Sequence, residues 1–190
     1  MGNSSSGKRK NLRPEVMSDL LEATRFSEQD ICQWHQTFKK DFPSGQLNIE
    51  QFKDIYVQHF PNGDASSFAE HVFRTFDKNK DQYLDFREFL TAISITAHGD
   101  PVERLRWAFR MYDIDGNGFV SKEECEEIIS AMNRGLGGTA AQSSLWAKEI
   151  FLRVDLDHDG RISEEEFVKA ARNEASVLTS MEQPGSRLEN

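Results

Sequence analysis

Between positions 155 and 166 the chain reads Asp155-Leu-Asp157-His-Asp159-Gly160-Arg161-Ile162-Ser163-Glu-Glu-Glu166. Numbered as a twelve-position loop, it has carboxylates at 1, 3 and 5, glycine at 6, an aliphatic at 8, a hydroxyl at 9 and glutamate at 12. That is the spacing of an EF-hand calcium loop. Ca2+ is a hard cation that takes six to eight oxygens at about 2.3–2.6 Å. A tight loop can aim Asp155, Asp157, Asp159 and Ser163 inward, add the Arg161 carbonyl at position 7, and close the shell with both oxygens of Glu166. Gly160 takes a bend that a side chain resists. Ser163 and Glu166 also form a capping-box pattern that starts the exit helix.

The same register recurs at 40, 77 and 113, which gives four repeats. Asp113, Asp115, Asn117, the Phe119 carbonyl, Ser121 and Glu124 match every expected position. Residues 77–88 supply Asp77, Asn79, Asp81, the Tyr83 carbonyl, Asp85 and Glu88. There Gln82 stands where glycine is expected, and left-handed backbone costs a residue with a side chain roughly 1–2 kcal/mol. Lys78, Lys80 and Arg87 offset three of the four acids, so weaker binding is expected. Residues 40–51 lack the chemistry: Lys40 is at position 1, Phe42 at 3, Ser44 at 5 and Gln51 at 12, and Pro43 distorts the turn. No metal is expected there. Two to three Ca2+ ions follow for the chain.

The elements that must hold these loops are helices, in an all-α fold of four helix–loop–helix units paired in two lobes. Pro14 to Ala23 reads as a short helix with Pro at its start. Ser27 with Asp30 caps a second, with Ile31, Trp34 and Phe38 on one face. The helix from Val102 to Tyr112 should bury Leu105, Ala108, Phe109 and Tyr112. In the last entering helix Leu145, Trp146, Ile150, Phe151 and Val154 are the apolar positions. Residues 14–97 form the expected N-terminal lobe and 102–175 the C-terminal lobe, joined at 98–101. A flexible glycine-rich connection is expected over 134–139, and a loose polar tail over 176–190. Position-8 residues should meet across each pair, Leu47 with Leu84 and Val120 with Ile162.

Composition bounds the function. The 190 residues carry a formal net charge of −9, which argues against nucleic-acid binding and suits cations or basic partners. Cys32 and Cys125 lie far apart, so a disulfide framework is not expected. No apolar run is long enough to span a membrane, and no signal-peptide core is visible. The five histidines show no metal-ligand spacing, and no nucleophile–base constellation or phosphate-cradling loop suggests an enzyme or a small-molecule substrate. The first six residues, Met1-Gly2-Asn3-Ser4-Ser5-Ser6, fit N-myristoylation at Gly2. Lys8, Arg9, Lys10 and Arg13 then give residues 1–13 a charge of +4. One acyl chain binds membranes only marginally, and a basic patch supplies the second signal for an anionic inner leaflet. The expectation is a cytoplasmic protein, reversibly peripheral on membranes.

Four features together resemble the neuronal calcium sensor family, most closely its hippocalcin and visinin-like branch. They are Gly2, the first loop disabled around Pro43-Ser44-Gly45, the stretch GDASSFAEHVFRTFD ending at Asp77, and LRWAFRMYDIDGNGF ending at Phe119. The resemblance runs from Gly2 to about residue 175. It implies a calcium–myristoyl switch, in which the acyl chain is held in the N-terminal lobe without calcium and released with it. It also implies a target whose amphipathic helix enters an apolar groove, at positions that here are Trp34, Phe38, Phe52, Ile55, Tyr56, Phe60, Phe86 and Phe89. The family usually has cysteine where Phe42 stands, so a redox role for that thiol is absent. An alternative class is an enzyme's regulatory subunit like that of calcineurin, which also has Gly2 and four EF-hands. Its family keeps a working first loop. A passive calcium buffer ranks third, because there a lipid signal would be superfluous.

Overall fold

The computed structural model describes residues 12–59 and 64–173. Helices dominate, and each strand is two or three residues long. The N-terminal half contains α1 (Pro14–Ala23), α2 (Glu28–Asp41), β1 (Gln46–Asn48), α3 (Ile49–His59), α4 (Ser66–Phe76), β2 (Tyr83–Asp85) and α5 (Phe86–His98). The C-terminal half contains α6 (Pro101–Tyr112), β3 (Phe119–Val120), α7 (Lys122–Gly135), α8 (Ala140–Val154), β4 (Ile162–Ser163) and α9 (Glu164–Asn173). The protein has the all-α EF-hand fold.

Local chemistry sets the helix starts. Pro14 and Pro101 open α1 and α6, where a missing N–H costs nothing. The Ser27 hydroxyl accepts from the Asp30 N–H, while the Asp30 carboxylate accepts from the Ser27 N–H. Asp100 and Glu103 form the same reciprocal box at α6. The strands pair antiparallel, β1 with β2 and β3 with β4, and place Leu47 opposite Leu84 and Val120 opposite Ile162. All four of these side chains are buried, so each pair of loops is tied at its apolar centre.

The two halves share one hydrophobic cluster. The ring of Phe76 on α4 lies edge-on to that of Trp107 on α6, at 5.9 Å between centroids. The Arg74 guanidinium donates to the Met111 carbonyl at 2.7 Å, and the Asp64 N–H donates to the Arg134 carbonyl at 3.0 Å. Gly135 lies against Ala65, and its missing Cβ would sit 3.4 Å from the Ala65 Cα. Only Gly99 and Asp100 separate α5 from α6. Arg25, in the turn between α1 and α2, spans this junction: it donates to the His98 carbonyl at 3.0 Å and to Glu103 at 2.6 Å.

Two expectations about α8 and its approach are corrected. Leu145 and Trp146 face solvent instead of the core; the buried residues of α8 are Ser143, Ala147, Phe151 and Val154. These four lie on one arc of the helix, and Leu145 and Trp146 fall outside it. The connection over 134–139 is a closed turn. The Asn133 side-chain amide donates to the Thr139 carbonyl and the Ser143 hydroxyl, both at 2.9 Å, and the Gly138 N–H donates to the Asn133 carbonyl at 2.8 Å. A side chain at Gly138 would run into that of Asn133, so the glycine permits a close approach.

Candidate calcium-binding loops

Loops 77–88, 113–124 and 155–166 share one internal frame. The position-1 aspartate reaches forward to the N–H at position 6: Asp77 to Gln82 at 2.9 Å, Asp113 to Gly118 at 3.0 Å and Asp155 to Gly160 at 3.2 Å. Position 3 accepts from the N–H of position 5, and position 5 from that of position 7. The position-12 glutamate spans the loop, with one oxygen on the N–H groups of positions 2 and 3 and the other on that of position 9. Side-chain oxygens therefore converge on a common centre, fixed from behind by main-chain N–H groups.

This frame requires left-handed backbone at two positions. At position 6 it is taken by Gln82, Gly118 and Gly160, with φ of 69°, 88° and 86°. At position 4 it is taken by Lys80, Gly116 and His158, with φ of 59°, 74° and 60°. The requirement at position 4 escaped the sequence reading, and Gly116 was the available signal. In the first loop Gly45 at position 6 has φ of 84°. Pro43 at position 4 cannot follow, because its ring locks φ near −65°. The Lys39 ammonium lies over Gly45, 2.5 Å from where a Cβ would stand. Gln51 keeps only the helix-starting role, exchanging bonds with Asn48 at 3.1 and 2.9 Å.

The donor chemistry fits Ca2+. Carboxylate oxygens of Asp113, Asp115 and Glu124 lie within 4.8 Å of one another, as do those of Asp155, Asp157 and Asp159. The Asp155 Oδ1 atom is buried and has no hydrogen-bond partner; an orphaned carboxylate oxygen suits a cation. In loop 77–88 the amide of Asn79 replaces the position-3 carboxylate. The carbonyl-bearing residues Tyr83 and Phe119 begin β2 and β3, and Arg161 immediately precedes β4. The Arg161 side chain lies over the Phe119 ring at 4.6 Å, tying the two position-7 residues of the C-terminal pair.

Burial acts on the closing glutamates with different results. It pushes the Glu88 carboxyl above its ordinary value; the Asp85 and Asn79 N–H groups only partly offset this, and the charges of Asp85 and Asp77 add to it. Burial also pushes Glu124 and Glu166 up, but the N–H and hydroxyl of Ser121 and Ser163, together with the N–H groups of Ile114 and Asp115 and of Leu156 and Asp157, outweigh it, so both lie below the ordinary value. Elsewhere, burial raises the Cys125 thiol to about 12, which makes it unreactive.

The positions expected to form a groove are largely covered. Phe38, Phe52, Tyr56 and Phe86 are buried, and Trp34, Ile55 and Phe89 are half-buried against the core. Phe38 packs on Phe86 and Phe89 at 5.5 and 5.3 Å, and Phe52 on Tyr56 at 5.0 Å. Helix α1 lies over α2 and α5 with Leu20 fully buried. On α3, Phe52 and Tyr56 instead pack against Phe73, Phe76 and Phe68 of α4. Arg13 is exposed just before α1. Gly2, Lys8, Arg9, Lys10, Phe60 and the 176–190 tail lie outside the described residues.

Comparison with known proteins agrees with the loop geometry. A family model described as an EF-hand domain pair matches residues 102–172. Human recoverin is 37% identical over 188 residues, covering 94% of this chain and 92% of recoverin. Neuronal calcium sensor 1 of Lymnaea stagnalis is 38% identical over 182 residues, covering 92% of this chain and 95% of that protein. S-modulin of Aquarana catesbeiana is 43% identical over 132 residues, covering 70% and 64%. With three oxygen-lined loops, a disabled first loop and full-length relatives of this kind, the chain belongs to the neuronal calcium sensor family of EF-hand proteins.

Proposed function

We propose that the protein is a calcium sensor of the hippocalcin and visinin-like branch, working through a calcium–myristoyl switch. The observation that carries the sensor reading is the shared frame of loops 77–88, 113–124 and 155–166, each built to present oxygens. Ligands would be Asp77, Asn79, Asp81, Asp85 and Glu88; Asp113, Asp115, Asn117, Ser121 and Glu124; Asp155, Asp157, Asp159, Ser163 and Glu166; and the carbonyls of Tyr83, Phe119 and Arg161. Ca2+ supplies positive charge there, and three ions would bring the formal charge from −9 to about −3, easing approach to anionic lipid.

The covered aromatic set supports a closed arrangement that can open. Leu20 of α1 is fully buried, and burial of such a side chain stabilises by about 1.5–3 kcal/mol. Moving α1 away would uncover Trp34, Phe38, Phe86 and Phe89 to an amphipathic target helix. A myristoyl chain on Gly2, with Lys8, Arg9, Lys10 and Arg13, would hold the protein reversibly on the cytoplasmic leaflet. No helix among the described residues is long and apolar enough to cross a membrane. The sensor is not an enzyme in this reading, and the regulatory-subunit alternative ranks below it because the first loop lacks ligands.

The test is co-sedimentation of the myristoylated protein with anionic liposomes, beside Gly2→Ala, in calcium and in EGTA. Binding that needs both calcium and Gly2 is expected. Binding in EGTA as well would make the anchor constitutive, and no Gly2-dependent binding would sink the membrane reading.

A further inference from the structure

Helices α6 and α9 form the walls of a cleft of about 570 Å3, lined by Arg106 of α6 and by Glu164, Glu165, Lys169, Arg172 and Asn173 of α9. That volume is within the roughly 300–1,000 Å3 of small-molecule sites. None of these residues is a ligand position of a calcium loop. Arg106 is about half-exposed and binds Glu164 through Nε at 3.2 Å, so its two terminal nitrogens remain open to a ligand. Arg110 follows one turn later on α6, close enough for Glu164 and Arg106 to act on its charge. Lys169 and Arg172 are exposed and, three apart, share one face of α9. Among the described residues neither side chain makes a hydrogen bond or an ion pair.

Four cations thus meet two carboxylates here, on a chain whose formal net charge is −9. A concave surface with a surplus of one sign concentrates ligands of the other. The chemistry of the cations narrows the anion. Guanidinium groups bind phosphate oxygens in bidentate fashion, with a geometric selectivity that a point charge lacks. Cations on two facing helices suit a ligand that carries phosphates at two of its corners. A long polyanion such as nucleic acid would run out of the cleft onto a surface of net negative charge, and a basic peptide would meet the wrong sign. A compact ligand stays within the positive field. Glu165 limits where it sits. It lies in the first turn of α9, about 6 Å of helix rise from Lys169 and about 10 Å from Arg172, so the phosphates belong at the Arg172 end.

We propose that the cleft between α6 and α9 binds a compact phosphate ester with at least two phosphate groups, held by Arg106, Lys169 and Arg172. A soluble ester and a lipid headgroup present the same groups. The site does not rest on the membrane switch or on calcium at the loops.

The experiment is an amide-shift titration of the full chain with inositol trisphosphate, in EGTA because phosphates chelate calcium. Saturable shifts are expected at Arg106, Lys169, Arg172 and Asn173. Lys169→Gln combined with Arg172→Gln should weaken binding by about tenfold or more, since each removes a charge-assisted bond. Glu165→Gln should tighten it. All three side chains are exposed, and circular dichroism checks that the variants keep the fold. Co-sedimentation with phosphatidylcholine vesicles containing phosphatidylinositol bisphosphate reads the lipid source, where loss of binding in the double variant places a headgroup in the cleft. Absence of binding with both probes would overturn the proposal. So would shifts confined to residues 8–13, or an affinity unchanged in the double variant.

Discussion

In loop 77–88 the closing glutamate faces an aspartate at position 9, whereas in loops 113–124 and 155–166 it faces a serine. The backbone frames match, but the electrostatics do not. Ser121 and Ser163 donate hydroxyls to Glu124 and Glu166 at 2.8 and 2.7 Å. Asp85 offers Glu88 only its N–H, at 3.2 Å, and adds a negative charge beside it. Glu88 is accordingly held above its ordinary 4.5 and the other two below it. Burial is the first cause of the rise at Glu88, and the Asp85 charge at position 9 adds to it where Ser121 and Ser163 lower their glutamates.

The largest effect that would break this comparison comes from removing the closing carboxylates one at a time. Glu124→Gln and Glu166→Gln should each weaken the tightest calcium steps on the order of 100-fold, while Glu88→Gln should remove only the weakest step. Calorimetric titration reads this, and loss of the tightest step in Glu88→Gln would reverse the order.

Acid should separate the loops next. Raised above its ordinary value in the folded state, Glu88 contributes stability that is full below that value and lost as pH rises through its folded value. Glu124 and Glu166 do the opposite: their contribution is present above the ordinary value and lost as pH falls through their depressed values. Protons therefore compete with Ca2+ first at loop 77–88 as pH falls from neutral. Asp85→Ser should reduce that early loss, moving the pH profile of the weakest calcium step toward the other two, while burial keeps part of the difference. An unshifted profile would remove position 9 as a cause.

Gln82→Gly isolates the other handicap. It relieves about 1–2 kcal/mol of left-handed strain and costs about 0.5–1 kcal/mol in backbone freedom. Thermal unfolding should show a net stabilisation of about 0–1.5 kcal/mol. A destabilisation would mean that the Gln82 side chain contributes contacts of its own. The smallest effect is expected at the junction between halves: Arg25→Ala removes a half-exposed ion pair worth about 0–1 kcal/mol. A stability loss well above that range would give Arg25 a larger part in holding α5 against α6.

Much of this was legible in the residues. Ligand spacing identifies the loops because coordination demands alternate oxygens at fixed intervals, and the pairs Leu47–Leu84 and Val120–Ile162 follow from loop position 8. Ser27 with Asp30, Pro14 and Pro101 mark helix starts because capping is local. Solvent exposure is not local. Leu145 and Trp146 read as core by type, and Phe38, Phe52, Tyr56 and Phe86 as groove by resemblance. Leu145 and Trp146 are left exposed, whereas Phe38 and Phe86 pack on each other and Phe52 and Tyr56 pack on α4, which depends on how separate helices meet.

The amino-acid order by itself determined which loops carry oxygens, which one is disabled by Lys40, Pro43 and Gln51, and where the helices begin. These depend on chemistry within a dozen residues. The tertiary structure alone decided that α1 lies over the aromatic side of the N-terminal half, that Asn133 closes the turn before α8, that both halves share one core and that α8 leaves leucines in water. Those outcomes depend on contacts between segments far apart in the chain, where shape and burial outweigh any local preference.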